Sequence, residues 1–321
     1  MKYVTAFFMA WGNFFAIPCP LKRWDSKYTS LMLGFLPAIG WLIGLVWALV
    51  YFLLMYLGFS FFAGAFIVAL LPFVLSGFMH MDGFMDVCDA ILSRRSLEER
   101  QRILKDSTTG AFAVVCAIFL VLGYFCFLAS ALSSSVIDFA NMILIVVLSR
   151  SVAGLMVLNC KPMKTSQYVA MQDAEPEVDD NENAGAQDDG NATEFDYVNV
   201  TEEEKTEMLD EIFGQKVADT DESNETETAL TTTDPALAEE PKSTKKQGTI
   251  LLVALMLLIF VFELFMSTNI ARTLVVSLFT AVGALLAILG AKKNLGGMSG
   301  DIAGYGIMFG ELIGVFALAI F

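Results

Sequence analysis

Seven stretches of this chain, residues 31–59, 61–79, 111–131, 136–159, 249–267, 273–290 and 302–321, are long and apolar enough to cross a bilayer, since a helix covers about 30 Å of hydrocarbon in about 20 residues. Inside lipid each segment must satisfy its own backbone hydrogen bonds. A barrel strand would alternate polar and apolar residues, and these runs do not, so they are helices. The expected fold is an all-α, polytopic membrane bundle of about seven transmembrane helices, and the 56% hydrophobic content agrees. Residues 3–19 are broken by Gly12-Asn13 and ended by Pro18 and Pro20. That run barely reaches across a bilayer, which predicts a re-entrant or interfacial helix. It is not read as a signal peptide, because only Lys2 supplies a basic flank.

Short turns predict two hairpins, one from 31–59 with 61–79 and one from 111–131 with 136–159. Gly40 and Gly44, at small-xxx-small spacing, let another backbone approach the first long helix. The five cysteines form no CxxC pair and read as reduced packing residues.

The net charge of −15 is set by one segment. Residues 171–240 hold 24 of the 35 acids and two of the 20 bases, so the remainder has 11 acids and 18 bases. The membrane part is therefore basic, which suits an anionic membrane surface or substrate and gives no argument for nucleic acid. Basic residues cluster in alternate loops (Arg94, Arg95, Arg100, Arg102 and Lys105; Lys161, Lys164, Lys242, Lys245 and Lys246; Lys292 and Lys293), and those loops are expected on the cytoplasmic side of the cell membrane. Three regions follow: 1–162, an N-terminal membrane part; 163–247, an acidic, disordered cytoplasmic insertion; and 248–321, a C-terminal membrane part. Within the insertion, Thr201 with Glu204 makes a capping box ahead of an apolar stripe at Met208, Leu209, Ile212 and Phe213.

Chemistry concentrates in residues 80–110. Asp82, Asp86 and Asp89 stand at i, i+4 and i+7, within about a 60° arc of one helical face. Ionised carboxylates among Phe78, Met79, Phe84, Met85 and Ile91 are costly without partners, and Mg²⁺, which favours carboxylate and phosphate oxygens, would provide one. Lys105, Asp106 and Ser107 precede a turn at Gly110, a set that suits pyrophosphate with Mg²⁺. Gly296, Gly297 and Gly300 permit close approach to a ligand, with Asp301 at a helix start. Glu311 lies about 15 Å deeper, where Arg150 is its plausible counter-ion. His80, the one histidine, is a candidate proton acceptor. Glu263 reads as a helix-packing hydrogen-bond partner.

With these residues in view, the chain resembles the cobalamin synthase family, adenosylcobinamide-GDP ribazoletransferase. His80-Met81-Asp82-Gly83, Asp86 and Asp89 are similar to its H-x-D-G-x-x-D-x-x-D signature. Lys105-Asp106-Ser107 with Gly110, and Leu295-Gly296-Gly297 through Gly300-Asp301 and Gly310-Glu311-Leu312, are similar to its later elements. Phe78 stands where a second glycine is common and Ala90 where glycine is frequent, and the acidic insertion is additional.

The resemblance implies Mg²⁺-dependent transfer joining adenosylcobinamide-GDP to α-ribazole or its 5′-phosphate, with release of GMP. It implies metal binding by Asp82, Asp86 and Asp89, with Asp106, Asp301 and Glu311 as further ligands. Lys105 and Arg150 would contact phosphate, Ser107, Gly296, Gly297 and Gly300 would cradle the substrate, and His80 or an aspartate would be the base. The partners are then the corrinoid nucleotide, α-ribazole and the lipid bilayer; any protein partner would be a second copy or other corrinoid-pathway membrane proteins. The alternatives are a CDP-alcohol phosphotransferase, whose Ala-Arg after D-G is absent here, and an ion transporter using Glu263, Glu311 and Arg150.

Overall fold

The structure, a computed structural model, describes residues 2–134, 137–164, 166, 168 and 242–321. These contain eleven α-helices: α1 (Lys2–Phe14), α2 (Thr29–Gly34), α3 (Leu36–Tyr56), α4 (Phe61–Leu75), α5 (Met79–Leu92), α6 (Leu97–Ile103), α7 (Ala111–Ser133), α8 (Phe139–Asn159), α9 (Lys242–Met266), α10 (Ile270–Leu295) and α11 (Gly300–Ile320). Six are long and apolar enough to cross a membrane, and α4 with α5 makes a seventh if that bent pair is one broken span. The N-terminal run forms a 13-residue helix, α1, which at 1.5 Å per residue is too short to span. The chain divides into two compact units, Met1–Ala174 with Pro235–Phe321, and Glu175–Asp234. The second unit lies outside the described residues, as do the capping box at Thr201 and the apolar stripe after it.

Helix α8 is the axis of the first unit. Every residue from Ala140 to Ser151 is buried, and α3, α9, α10 and α11 pack around it. The Gly40/Gly44 spacing acts as expected. A Cβ on Gly44 would stand 2.7 Å from Ile143 Cα, and one on Gly40 3.0 Å from Val147 Cα, so the α3 and α8 backbones touch.

Four sequence expectations are corrected. The run 31–59 is two helices, broken at Phe35 just ahead of Pro37. The run 61–79 ends as a helix at Leu75, where Gly77 (φ 63°) and Phe78 (φ 58°) turn the chain through 86° into α5. Helices α7 and α8 follow one another but do not pack side by side; α7 lies against α4, α5 and α11, because α8 is already enclosed by other partners. Finally, the ordered membrane part reaches past the boundaries at 163 and 247. Met163 N–H donates to Met298 O at 2.9 Å, and α9 begins at Lys242.

The α3–α4 hairpin forms as expected and carries a repair. Pro72 sits inside α4 and, lacking an N–H, leaves the Val68 carbonyl without its helical donor. Trp47 of α3, fully buried, donates its indole Nε1–H to Val68 O at 2.6 Å.

Candidate active site

Two glycines bring the polar motifs together. A Cβ on Gly83 would stand 2.8 Å from Asp301 Cα, and one on Gly304 3.1 Å from His80 O. Helices α5 and α11 therefore cross backbone to backbone, and Phe84 stacks on Tyr305 beyond the crossing (centroids 5.6 Å apart, planes 16° apart). The glycine following Asp82 thus serves helix approach, and the crossing sets Asp82 beside Asp301.

Above the crossing lie two cavities of about 220 Å³ each that share Gly300 and Asp301. One is lined by His80 and Asp82 from α5, Asn13 from α1, and Ala153 and Gly154 from α8. The other is lined by Lys105, Met163, Ser166 and Ser299. The loops after α5, α8 and α10 converge here. Gln101 Nε2 donates to Leu295 O at 2.8 Å, Arg100 Nη1 to Asn294 Oδ1 at 3.1 Å, and Met298 N–H to Lys161 O at 3.0 Å.

The carboxylates divide into two kinds. Asp82 is exposed and Asp86 half-buried, and Asp82, Asp89 and Asp301 all lie close enough to Asp86 to act on it electrostatically. Ser299 caps α11 and also donates its hydroxyl to Asp301 Oδ2 at 3.3 Å. Asp89 differs: its two oxygens accept from the N–H groups of Gly110 and Ala113, capping the start of α7. Its first task is therefore holding α5 to α7. Among the described residues no group of three or more His, Cys, Asp or Glu side chains forms a ready-made metal cage.

Several other candidates also have structural tasks. Asp106 accepts from the Thr108 N–H (2.9 Å) and hydroxyl (2.7 Å). Those two bonds, with help from Arg102, hold its carboxyl below the usual range despite slight desolvation, so it stays ionised at neutral pH. Ser107 is exposed and lines neither cavity. Gly296 is the left-handed C-cap of α10 (φ 79°), and a Cβ on Gly297 would stand 2.7 Å from Met163 N, so both serve chain packing. Arg150 and Glu311, both fully buried, form an ion pair with each other inside the bundle. They line neither cavity. Their pairing follows from the cost of either charge alone in lipid. His80 is 4% exposed, and its Nε2 has no hydrogen-bond partner.

Asn13, Ser166 and Tyr168 also reach the cavities and were not among the expected site residues. Gly12-Asn13, the polar break in the first run, was the available signal for Asn13. Tyr168 lies at the edge of the acidic segment, where composition hides it.

The family of cobalamin-5-phosphate synthases matches residues 6–179, more than half of the chain. The chain belongs to this family. Cobalamin-5-phosphate synthase membership separates it from the CDP-alcohol phosphotransferase alternative. Among similar proteins, an adenosylcobinamide-GDP ribazoletransferase of Clostridium botulinum (strain Eklund 17B / Type B) is 48% identical over 112 residues, 35% of this chain and 44% of the relative. One of Clostridium perfringens (strain SM101 / Type A) is 37% identical over 157 residues, 49% of this chain and 62% of the relative. One of Lachnoclostridium phytofermentans is 34% identical over 175 residues, 53% and 64% of the two lengths. The matched part thus spans less than two thirds of these relatives. No solved structure matches the chain.

Proposed function

We propose that the protein is an adenosylcobinamide-GDP ribazoletransferase, joining adenosylcobinamide-GDP to α-ribazole or its 5′-phosphate with release of GMP. The observation that supports this best is the α5–α11 crossing, which puts Asp82, His80 and Asp301 around one cavity and Lys105 beside Asp301 in the next. Phosphoryl transfer asks for positioning and charge compensation more than for covalent help from the protein. This set of side chains offers both.

The donor set fits Mg²⁺. That ion takes one or two protein carboxylates and completes its octahedron with phosphate and water, so Asp82 and Asp301, with Asp86 nearby, suffice without a preformed cage. When bound, Mg²⁺ would draw the pyrophosphate oxygens together and offset their charge. Lys105 would bind phosphate from the second cavity. His80, facing the first cavity from a buried position, would accept the proton of the attacking ribose hydroxyl at Nε2. Arg150, as the buried partner of Glu311, would tie α8 to α11 beneath the site. By the basic-loop rule this end of the bundle faces the cytoplasm.

The test is GMP release by detergent-purified protein supplied with adenosylcobinamide-GDP, α-ribazole and Mg²⁺. Asp82→Asn and Asp301→Asn should each lower turnover at least 100-fold with the fold intact, and chelation should abolish it. Undiminished turnover in both variants would remove the crossing from the chemistry.

A further inference from the structure

At the end of the bundle away from the cavities, α8, α9 and α10 meet in a polar layer the proposed reaction does not use. Its outer edge is joined by hydrogen bonds. Asp138, at the start of α8, accepts from the Ser267 hydroxyl (3.1 Å), the Thr268 N–H (2.7 Å) and the Thr268 hydroxyl (3.0 Å), and Ser267 pairs with Thr273 at 2.6 Å. About one turn deeper each helix presents another polar side chain: Asn141 from α8, Glu263 from α9 and Ser277 from α10. All three are buried, at 0%, 1% and 5% exposure. Glu263 Oε1 accepts from Trp41 Nε1 at 2.9 Å. Its Oε2, both ends of the Asn141 amide and the Ser277 hydroxyl have no hydrogen-bond partner.

Four unpartnered polar atoms on three adjacent helices at one depth are costly in lipid, where each lost hydrogen bond goes uncompensated. A carboxylate there also needs a compensating charge. The neighbouring charge acting on Glu263 is Asp138, another acid, and among the described residues no ion pair reaches it. A proton would answer Glu263 alone and leave Asn141 and Ser277 unmet. A small monovalent cation with a water molecule would answer all of them. The donors are hard oxygens (carboxylate, amide and hydroxyl), and only one of the three side chains with unpartnered atoms is a carboxylate, which matches a single positive charge better than a divalent ion.

We propose that Glu263, Asn141 and Ser277 form a buried site for a hydrated monovalent cation such as Na⁺, tying α8, α9 and α10 together. The site is independent of the proposed catalysis and would serve stability. A ligand bound only by the folded state raises the unfolding temperature in a saturable way. The experiment is thermal unfolding of the purified full-length protein without Mg²⁺, in NaCl, KCl and choline chloride at matched ionic strength. Na⁺ or K⁺ should raise Tm along a saturation curve that choline does not reproduce. Glu263→Gln should abolish that response, and Ser277→Ala should shift its midpoint about tenfold to higher concentration. Equal Tm in all three salts would overturn the proposal, as would a full response in Glu263→Gln. Should Glu263→Gln fail to fold, an unshifted midpoint in Ser277→Ala overturns it equally. Stabilisation that follows pH and ignores cation identity would assign the layer to a proton instead.

Discussion

Asp89 shows how one residue type in a regular pattern divides its labour. Its spacing from Asp82 and Asp86 is that of a third metal ligand, and its oxygens are bonded to the Gly110 and Ala113 N–H groups. Asn in its place keeps one acceptor and loses the other. Asp89→Asn is therefore expected to cost about 1–2 kcal/mol of stability, read as a lower Tm. A variant with unchanged Tm and no turnover would return Asp89 to the chemistry. Phe78 is the second informative residue. At φ 58° it holds a conformation that costs a side-chain-bearing residue about 1–2 kcal/mol, and glycine gives back part of that as chain entropy. Phe78→Gly should raise stability by up to about 1 kcal/mol, seen as a modest increase in Tm. The resemblance marks this position as one where glycine is common, and the left-handed backbone seen in the structure gives the physical reason. The Asp89 cap was not legible in the sequence, because its donors lie 21 and 24 residues away, beyond any local pattern.

Among elements, the α3–α4 hairpin depends on a donor borrowed across the interface. Trp47→Phe keeps the ring that packs against Tyr124 and removes the N–H that serves Val68 O. The orphaned carbonyl should cost about 1–3 kcal/mol. In the double variant Trp47→Phe, Pro72→Ala, the alanine N–H restores the helical bond, and most of that loss should disappear. Additive losses in denaturation of the four proteins of the cycle would show that the Trp47 bond and the proline are unconnected. The helices themselves were readable from apolar length, and a close approach to α3 from Gly40 and Gly44, whereas the identity of the approaching helix, α8, needed the structure. The pairing of α7 was misread, because adjacency in sequence favours a hairpin, whereas α8 is enclosed by α3, α9, α10 and α11.

For the whole molecule, the two halves of the candidate site flank the long acidic segment. Residues 80–110 supply Asp82 and Lys105, and residues 299–304 supply Asp301 and the crossing glycine. The described residues that line the two cavities lie outside residues 175–234, so deletion of that stretch with a short Gly/Ser linker should leave GMP release within about twofold of the full chain. Loss of activity with normal expression would show that the segment takes part in the chemistry. The sequence displayed both halves as motifs. Their meeting rests on Gly83 and Gly304, whose role in helix approach is invisible until α5 and α11 are placed together.

The crossing also orders events during synthesis. The carboxylates of α5 are made early, and their partner Asp301 on α11 follows more than 200 residues later. A nascent chain reaching only α10 holds Asp82, Asp86 and Lys105 without Asp301, so substrate capture should be withheld until α11 has been inserted.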